Sequence, residues 1–96
     1  MLSFLPKTPS DMMSEIKERY KARRKAIGLT QSELSSRSGV SLGSLKRFEH
    51  TGQISLESLL KLALVLECLQ DFEAICEGRE ERFESIDEVI QSGGGR

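Results

Sequence analysis

Apolar residues recur along this chain at helical spacing. Met13, Ile16, Tyr20 and Ile27 fall at intervals of three, four and seven, one stripe on a helix, with Lys17, Arg19, Lys21, Arg23 and Lys25 mostly off it. Ser10 or Asp11 is the expected cap, and Gly28 is the expected stop, because glycine readily takes the left-handed conformation that closes helices. Thr30-Gln31-Ser32-Glu33 is a capping box: the threonine oxygen accepts from a free amide while the glutamate reaches back. It predicts a short helix with Leu34 inward, ending near Ser38-Gly39. Val40 then plugs the turn, and Ser41 caps another helix whose Leu45 and Phe48 face a core. Two short helices joined by a few residues that include glycine form a helix-turn-helix pattern.

Thr51-Gly52-Gln53 reads as a loop. Ser55 caps a fourth helix from Leu56 to about Glu67, with more aliphatics than one stripe needs, so this helix is buried on several sides or meets another protein chain. Leu69, Phe72 and Ile75 predict a fifth, short helix. Ser85-Ile86-Asp87-Glu88 is a further capping box opening an amphipathic turn with Val89 and Ile90. The organisation expected is an N-terminal arm over 1–9, a helical domain over 10–77, an acidic amphipathic extension over 78–91 and a disordered Gly-rich tail over 92–96. The fold class is all-α, a compact five-helix domain with a short C-terminal helical extension.

Charge changes the picture more than composition does. The net charge is −1, which by itself argues against a polyanionic partner. The distribution is uneven, however. Residues 17–47 hold nine Lys or Arg against two Glu, and residues 67–91 hold nine acids against two Arg. That asymmetry points to a basic working face and an acidic end. Cys68 and Cys76 lie among apolar neighbours with no CxxC, and His50 is the one histidine. Two reduced, partly buried cysteines of a cytosolic protein are therefore expected, with no metal site and no Cys/His catalytic pair. The start of the chain is too short and polar for a secretory signal. The apolar run Leu62–Leu66 falls far below the ~20 residues of a membrane span. No Ser/His/Asp set or phosphate-cradling glycine loop stands out, so an enzyme is not expected.

The run Gly28-Leu29-Thr30-Gln31-Ser32-Glu33-Leu34, then Gly39-Val40-Ser41, then Leu45 and Phe48-Glu49, preceded by Arg24 and followed by the Leu-rich helix, resembles the Xre family, the lambda-type repressor and Cro class of helix-turn-helix proteins. The resemblance covers residues 19–75. It implies a five-helix bundle whose third helix reads double-stranded DNA, usually as a homodimer on a palindrome, in the bacterial cytoplasm and on the nucleoid when bound. By the same likeness, Gln31 contacts a phosphate and braces the reading helix, while Ser41, Leu42, Gly43, Ser44 and Arg47 meet bases or nearby phosphates. Arg24 and Glu49 match a buried ion pair. Thr30 and Lys46 join the set through the helix start and the phosphate donors. The expected DNA-binding residues are thus Thr30, Gln31, Ser41, Leu42, Gly43, Ser44, Lys46 and Arg47, without catalytic residue, metal or cofactor.

Leu42 and Gly43 depart from the long polar side chains common at those positions. Leu42 offers a thymine methyl a contact but no hydrogen bond, and Gly43 lets backbone approach closely. Direct readout then rests on Arg47, whose guanidinium pairs with both acceptors of a guanine, and DNA shape contributes as well. The alternative is a protein-interaction module. Small Xre proteins with an acidic, partly apolar extension resemble antitoxins that bind a HipA-type kinase or another toxin, and Phe72, Ile75, Phe83, Ile86, Val89 and Ile90 are the residues that would dock such a toxin. Completion of the core or a dimer seam is the plainer use of those side chains.

Overall fold

The computed structural model describes residues 6–77. The expected features of residues 1–5 and 78–96, the acidic extension and its capping box included, lie outside the described residues. Within them the chain forms α1 (Pro9–Ile27), α2 (Gln31–Ser38), α3 (Leu42–Thr51), α4 (Leu56–Val65) and a closing 3₁₀ helix (Leu69–Ala74). The architecture is all-α, as expected.

The first helix starts earlier than the pattern indicates. Thr8 is the cap: its hydroxyl accepts from the Asp11 amide and the Asp11 carboxylate accepts from the Thr8 amide, each at 3.0 Å. Pro9 therefore belongs to the helix and not to the arm. Its missing N–H and fixed φ suit the first helical position. The stripe on α1 also differs from expectation. Ile16 and Tyr20 pack on the core, but Met13 and Ile27 are exposed. The inward position between Tyr20 and Ile27 is taken by Arg24, which is 7% exposed.

Leu34, Val40, Leu45, Phe48, Leu59, Leu62 and Leu66 fill the core, and Leu45 and Leu62 are completely covered. Tyr20 meets Phe48 edge-on, ring centroids 5.7 Å apart, a favourable aromatic geometry. α3 packs on α1 and α2, and α4 on α2 and the 3₁₀ helix.

Between α2 and α3 the backbone turns on Gly39 at φ 81°. The turn's polar groups are satisfied internally. Ser35 Oγ donates to the Val40 carbonyl at 2.6 Å, and Ser38 Oγ accepts from the Val40 amide at 3.1 Å. Such satisfaction holds the angle between the two helices firmly.

Two further boundaries move. α3 runs through Thr51, because the Thr51 hydroxyl donates back to the Arg47 carbonyl at 2.8 Å and accepts from the Gln53 amide at 3.0 Å. Only then does Gly52, at φ 85°, close the helix. α4 ends at Val65 rather than near Glu67. The Glu67 amide donates to Leu64 and the Cys68 amide to Ala63, the paired closure of a Schellman turn, with Glu67 in the left-handed region at φ 62°. Arg23 on α1 caps this end by donating to the carbonyls of Leu66 at 2.8 Å and Glu67 at 3.3 Å, where a cation also meets the negative pole of the helix. The fifth helix is a 3₁₀ turn. Cys68 is half-buried there, as expected, but Cys76 is exposed, against the expectation that it too would be partly buried.

Candidate nucleic-acid interface

A buried polar cluster positions α3. Arg24 donates from Nε to Glu49 Oε2 at 2.8 Å and from Nη2 to Oε1 at 3.0 Å, and its third nitrogen holds the Leu29 carbonyl at 2.9 Å. Gln31 Nε2 donates to the same Glu49 Oε1 at 2.9 Å. Burial alone would raise the Glu49 pKa. The hydrogen bonds from Arg24 and Gln31, with the charges of Arg24 and Lys21, outweigh it and hold the carboxyl below its ordinary range. Glu49 is therefore ionised at neutral pH. One carboxylate on α3 is gripped by the last turn of α1 and the first residue of α2, which locks the rotation of α3 about its own axis.

With Leu45, Phe48 and Glu49 turned inward, the spacing of three and four places Gly43, Lys46, Arg47 and His50 on the opposite, exposed side. Ser41 is exposed and caps α3 through the Ser44 amide at 3.1 Å. Ser44 is exposed. Leu42 is half-buried at the edge of the ridge and not fully outward. At Gly43 an added Cβ would meet nothing within 4 Å, so the centre of the ridge is bare backbone. Thr30 is engaged in its capping box, its hydroxyl accepting from Glu33 at 3.0 Å. Gln31 is half-buried with its amide nitrogen on Glu49.

Two polar clefts flank the ridge. One, of about 310 Å³, lies between the end of α3 and the start of α4 and is lined by Ser44, Arg47, Gln53, Ile54, Ser55 and Ser58. Arg47 Nη2 donates there to Gln53 Oε1 at 2.5 Å, and Ser55 caps α4 through the Ser58 amide at 3.1 Å. The other, of about 220 Å³, is lined by Lys21, Gln31, Lys46, Glu49 and His50. Both combine hydroxyl, amide or cationic donors with a nearby helix N-terminus, a setting that favours anions.

The structure thus brings Gln31, Ser41, Gly43, Ser44, Lys46 and Arg47 to one side of the molecule and puts Leu42 and Thr30 at its margin. Gln53, Ser55, Ser58 and His50 join this side without having been singled out from the sequence. The tight turn at Gly52 folds the start of α4 back beside Arg47, and His50 falls on the ridge because α3 continues to Thr51. The Ser55 capping signal pointed to a helix start there, but not to its place beside Arg47. Among the described residues, no group of three or more His, Cys, Asp or Glu side chains is placed to hold a metal, and no helix is long and apolar enough to cross a membrane.

Two crossed helices, the second held by a buried Arg–Glu pair and offering its outer side between two polar clefts, define a helix-turn-helix module. A helix-turn-helix family model matches residues 21–68, half of the chain. The transcriptional repressor RstR of the cryptic phage CTXphi in Vibrio cholerae serotype O1 is 43% identical over 54 residues, which cover 55% of this chain and 48% of the repressor. The chain thus spans about half the length of that relative. No solved structure matches it. The chain belongs to the Xre family of helix-turn-helix proteins.

Proposed function

We propose that the protein is a repressor that inserts α3 into the major groove of its operator as a homodimer. The observation that carries this reading is the placing of the two clefts. A helix lying in the major groove has a phosphate backbone on either side. Here an exposed ridge is bordered on one flank by Ser44, Arg47, Gln53, Ser55 and Ser58, and on the other by Lys21, Gln31, Lys46 and His50. Phosphate contacts from the clefts set the register, and contacts from the ridge supply sequence preference. Gln31 and the amides of α2, opened by Thr30, serve the second strand, while Ser41 and Ser44 serve the first. Leu42 touches a thymine methyl from the ridge margin. Gly43 lets the backbone approach the bases, and Arg47 reads a guanine after leaving Gln53. The repressor named above supports the regulatory sense of the proposal.

The test is fluorescence anisotropy of the full chain on duplexes from its own promoter over a range of salt. A steep log–log fall of affinity with salt is expected, since each neutralised phosphate adds about 0.9 to the slope. Salt-independent or undetectable binding would contradict the reading.

Exposed Leu56, Leu64 and Ile75 favour a protein contact in addition. A toxin partner such as a HipA-type kinase is the second reading. It predicts that co-expression with the neighbouring gene product yields a stable complex.

A further inference from the structure

On α4, Leu59, Leu62, Ala63 and Leu66 fill the core. Leu56, Leu60 and Leu64 form a second stripe, each four residues from the next, and they do not belong to it. Leu56 is 65% exposed, Leu64 is 64% exposed, and Leu60 between them is half-buried. An aliphatic row along the whole length of a ten-residue helix is a poor surface to leave in water. Its flank is the other notable feature. Glu57 and Lys61 run alongside the stripe on one side, paired at 3.4 Å and both exposed.

We propose that this face of α4 is the two-fold seam of the homodimer, with α4 of one copy packed antiparallel on α4 of another. The inference rests on the homodimer reading above and specifies its surface. A two-fold axis passing near Leu60 sets Leu56 against Leu64 of the second copy and Leu60 against its own equivalent. In an antiparallel two-fold pair, residues on one flank of a helix meet the same flank of the other, in reversed order. Glu57 therefore comes beside Lys61 of the second copy, and Lys61 beside Glu57. The flank matches itself in charge twice, as an isologous contact requires. The same pattern fits poorly to the segment 78–91 of the chain itself, whose acids would find only Lys61 on this flank.

The experiment is sedimentation velocity on the full chain, with helix content followed by circular dichroism and duplex binding measured separately. Wild type should sediment as a dimer. Leu64→Glu should sediment as a monomer with unchanged helix content, because the side chain is outside the core. Glu57→Lys and Lys61→Glu should each weaken the dimer at least tenfold, whereas the double variant Glu57→Lys/Lys61→Glu, which swaps the pattern, should recover it. With Cys68 and Cys76 replaced by serine, Leu60→Cys should form an intermolecular disulfide on mild oxidation.

A dimer that survives Leu64→Glu, or charge-swapped chains that stay monomeric, would overturn the seam while leaving a dimer. A wild type that is monomeric with and without duplex would overturn the dimer itself. Dimerisation through this stripe only after removal of residues 78–96 would assign it to the chain's own end and also overturn the proposal. Salt-dependent duplex binding is read independently of all these outcomes, so loss of the seam and loss of the DNA reading are distinguishable.

Discussion

Arg24 and Glu49 are joined by two hydrogen bonds, of 2.8 and 3.0 Å, between the last turn of α1 and the inner face of α3. Their side chains are 9% and 4% exposed. Removing either partner leaves a buried charge without its counter-ion, at a cost of about 3–5 kcal/mol. That is a large part of the roughly 5–15 kcal/mol available to a domain. Urea denaturation of Arg24→Ala or Glu49→Ala should show this loss. A fall below about 1 kcal/mol would mean that α3 is held by its apolar contacts alone.

The same pair makes stability pH-dependent. The Glu49 pKa is lowered from an ordinary 4.5. Its contribution is therefore fully present above that value and drains away as the pH falls through the lower, folded value. Denaturation midpoints should drop more steeply below pH 4.5 for wild type than for Glu49→Gln, which has nothing left to protonate at this position. Parallel curves would remove Glu49 from the acid response.

At Gly43 stability and affinity are expected to move in opposite directions. Alanine there is a better helix former by roughly 0.5–1 kcal/mol, and it meets no neighbouring atom. Gly43→Ala should raise the melting temperature by a few degrees. If backbone at this position lies against DNA, duplex affinity should fall at the same time. Equal or stronger binding would show that the centre of the ridge stands clear of the bases.

Gly52 gives the contrasting case. It has φ 85°, and a Cβ would lie 3.1 Å from the Met13 carbonyl oxygen and 3.2 Å from the Met13 Cβ. Gly52→Ala should destabilise by about 1–3 kcal/mol through strain and crowding. The left-handed Glu67 is the reverse: Glu67→Gly should stabilise by roughly 0.5–1 kcal/mol in thermal melts. Loss of stability there would show that the glutamate side chain contributes more than its backbone costs.

How far the sequence carries these conclusions differs from element to element. Thr30 with Glu33, Gly39, Val40 and Ser41 were all legible, because capping and turn chemistry is local and needs no knowledge of what packs behind it. Thr8 was not, because Pro9 reads as a breaker unless it is placed at the first helical position. Ile27 had the right spacing for the core but lies past the point where α1 leaves it, and Arg24 occupies the inward position since Glu49 is there to pair with it. Resemblance supplied that pair, and periodicity could not have. The cleft of Arg47, Gln53, Ser55 and Ser58 depends on how two helices meet at Gly52, a tertiary fact with no local signature. Leu42 was expected outward and is half-buried, because it stands three residues before Leu45 and seven before Glu49 and so borders the buried face of α3.

Arg47 carries the proposed base contact, and Gln53, its side-chain partner among the described residues, is itself exposed. Arg47→Ala should weaken binding to the promoter by about 1–3 kcal/mol and relax preference at a single base pair. A uniform loss across sequences, with a salt slope lower by about one, would make it a phosphate ligand instead.

An NMR titration of the labelled full chain with a short duplex at low salt tests most directly whether the ridge of α3 and its two clefts are the surface that meets DNA. Amide shifts are expected to concentrate at Gln31, Ser41, Gly43, Ser44 and Arg47 and at Gln53, Ser55 and Ser58, with Leu60 and Leu64 on the outer face of α4 unaffected by the duplex. Shifts gathered on α1 or the 3₁₀ helix, with α3 unmoved, would contradict it.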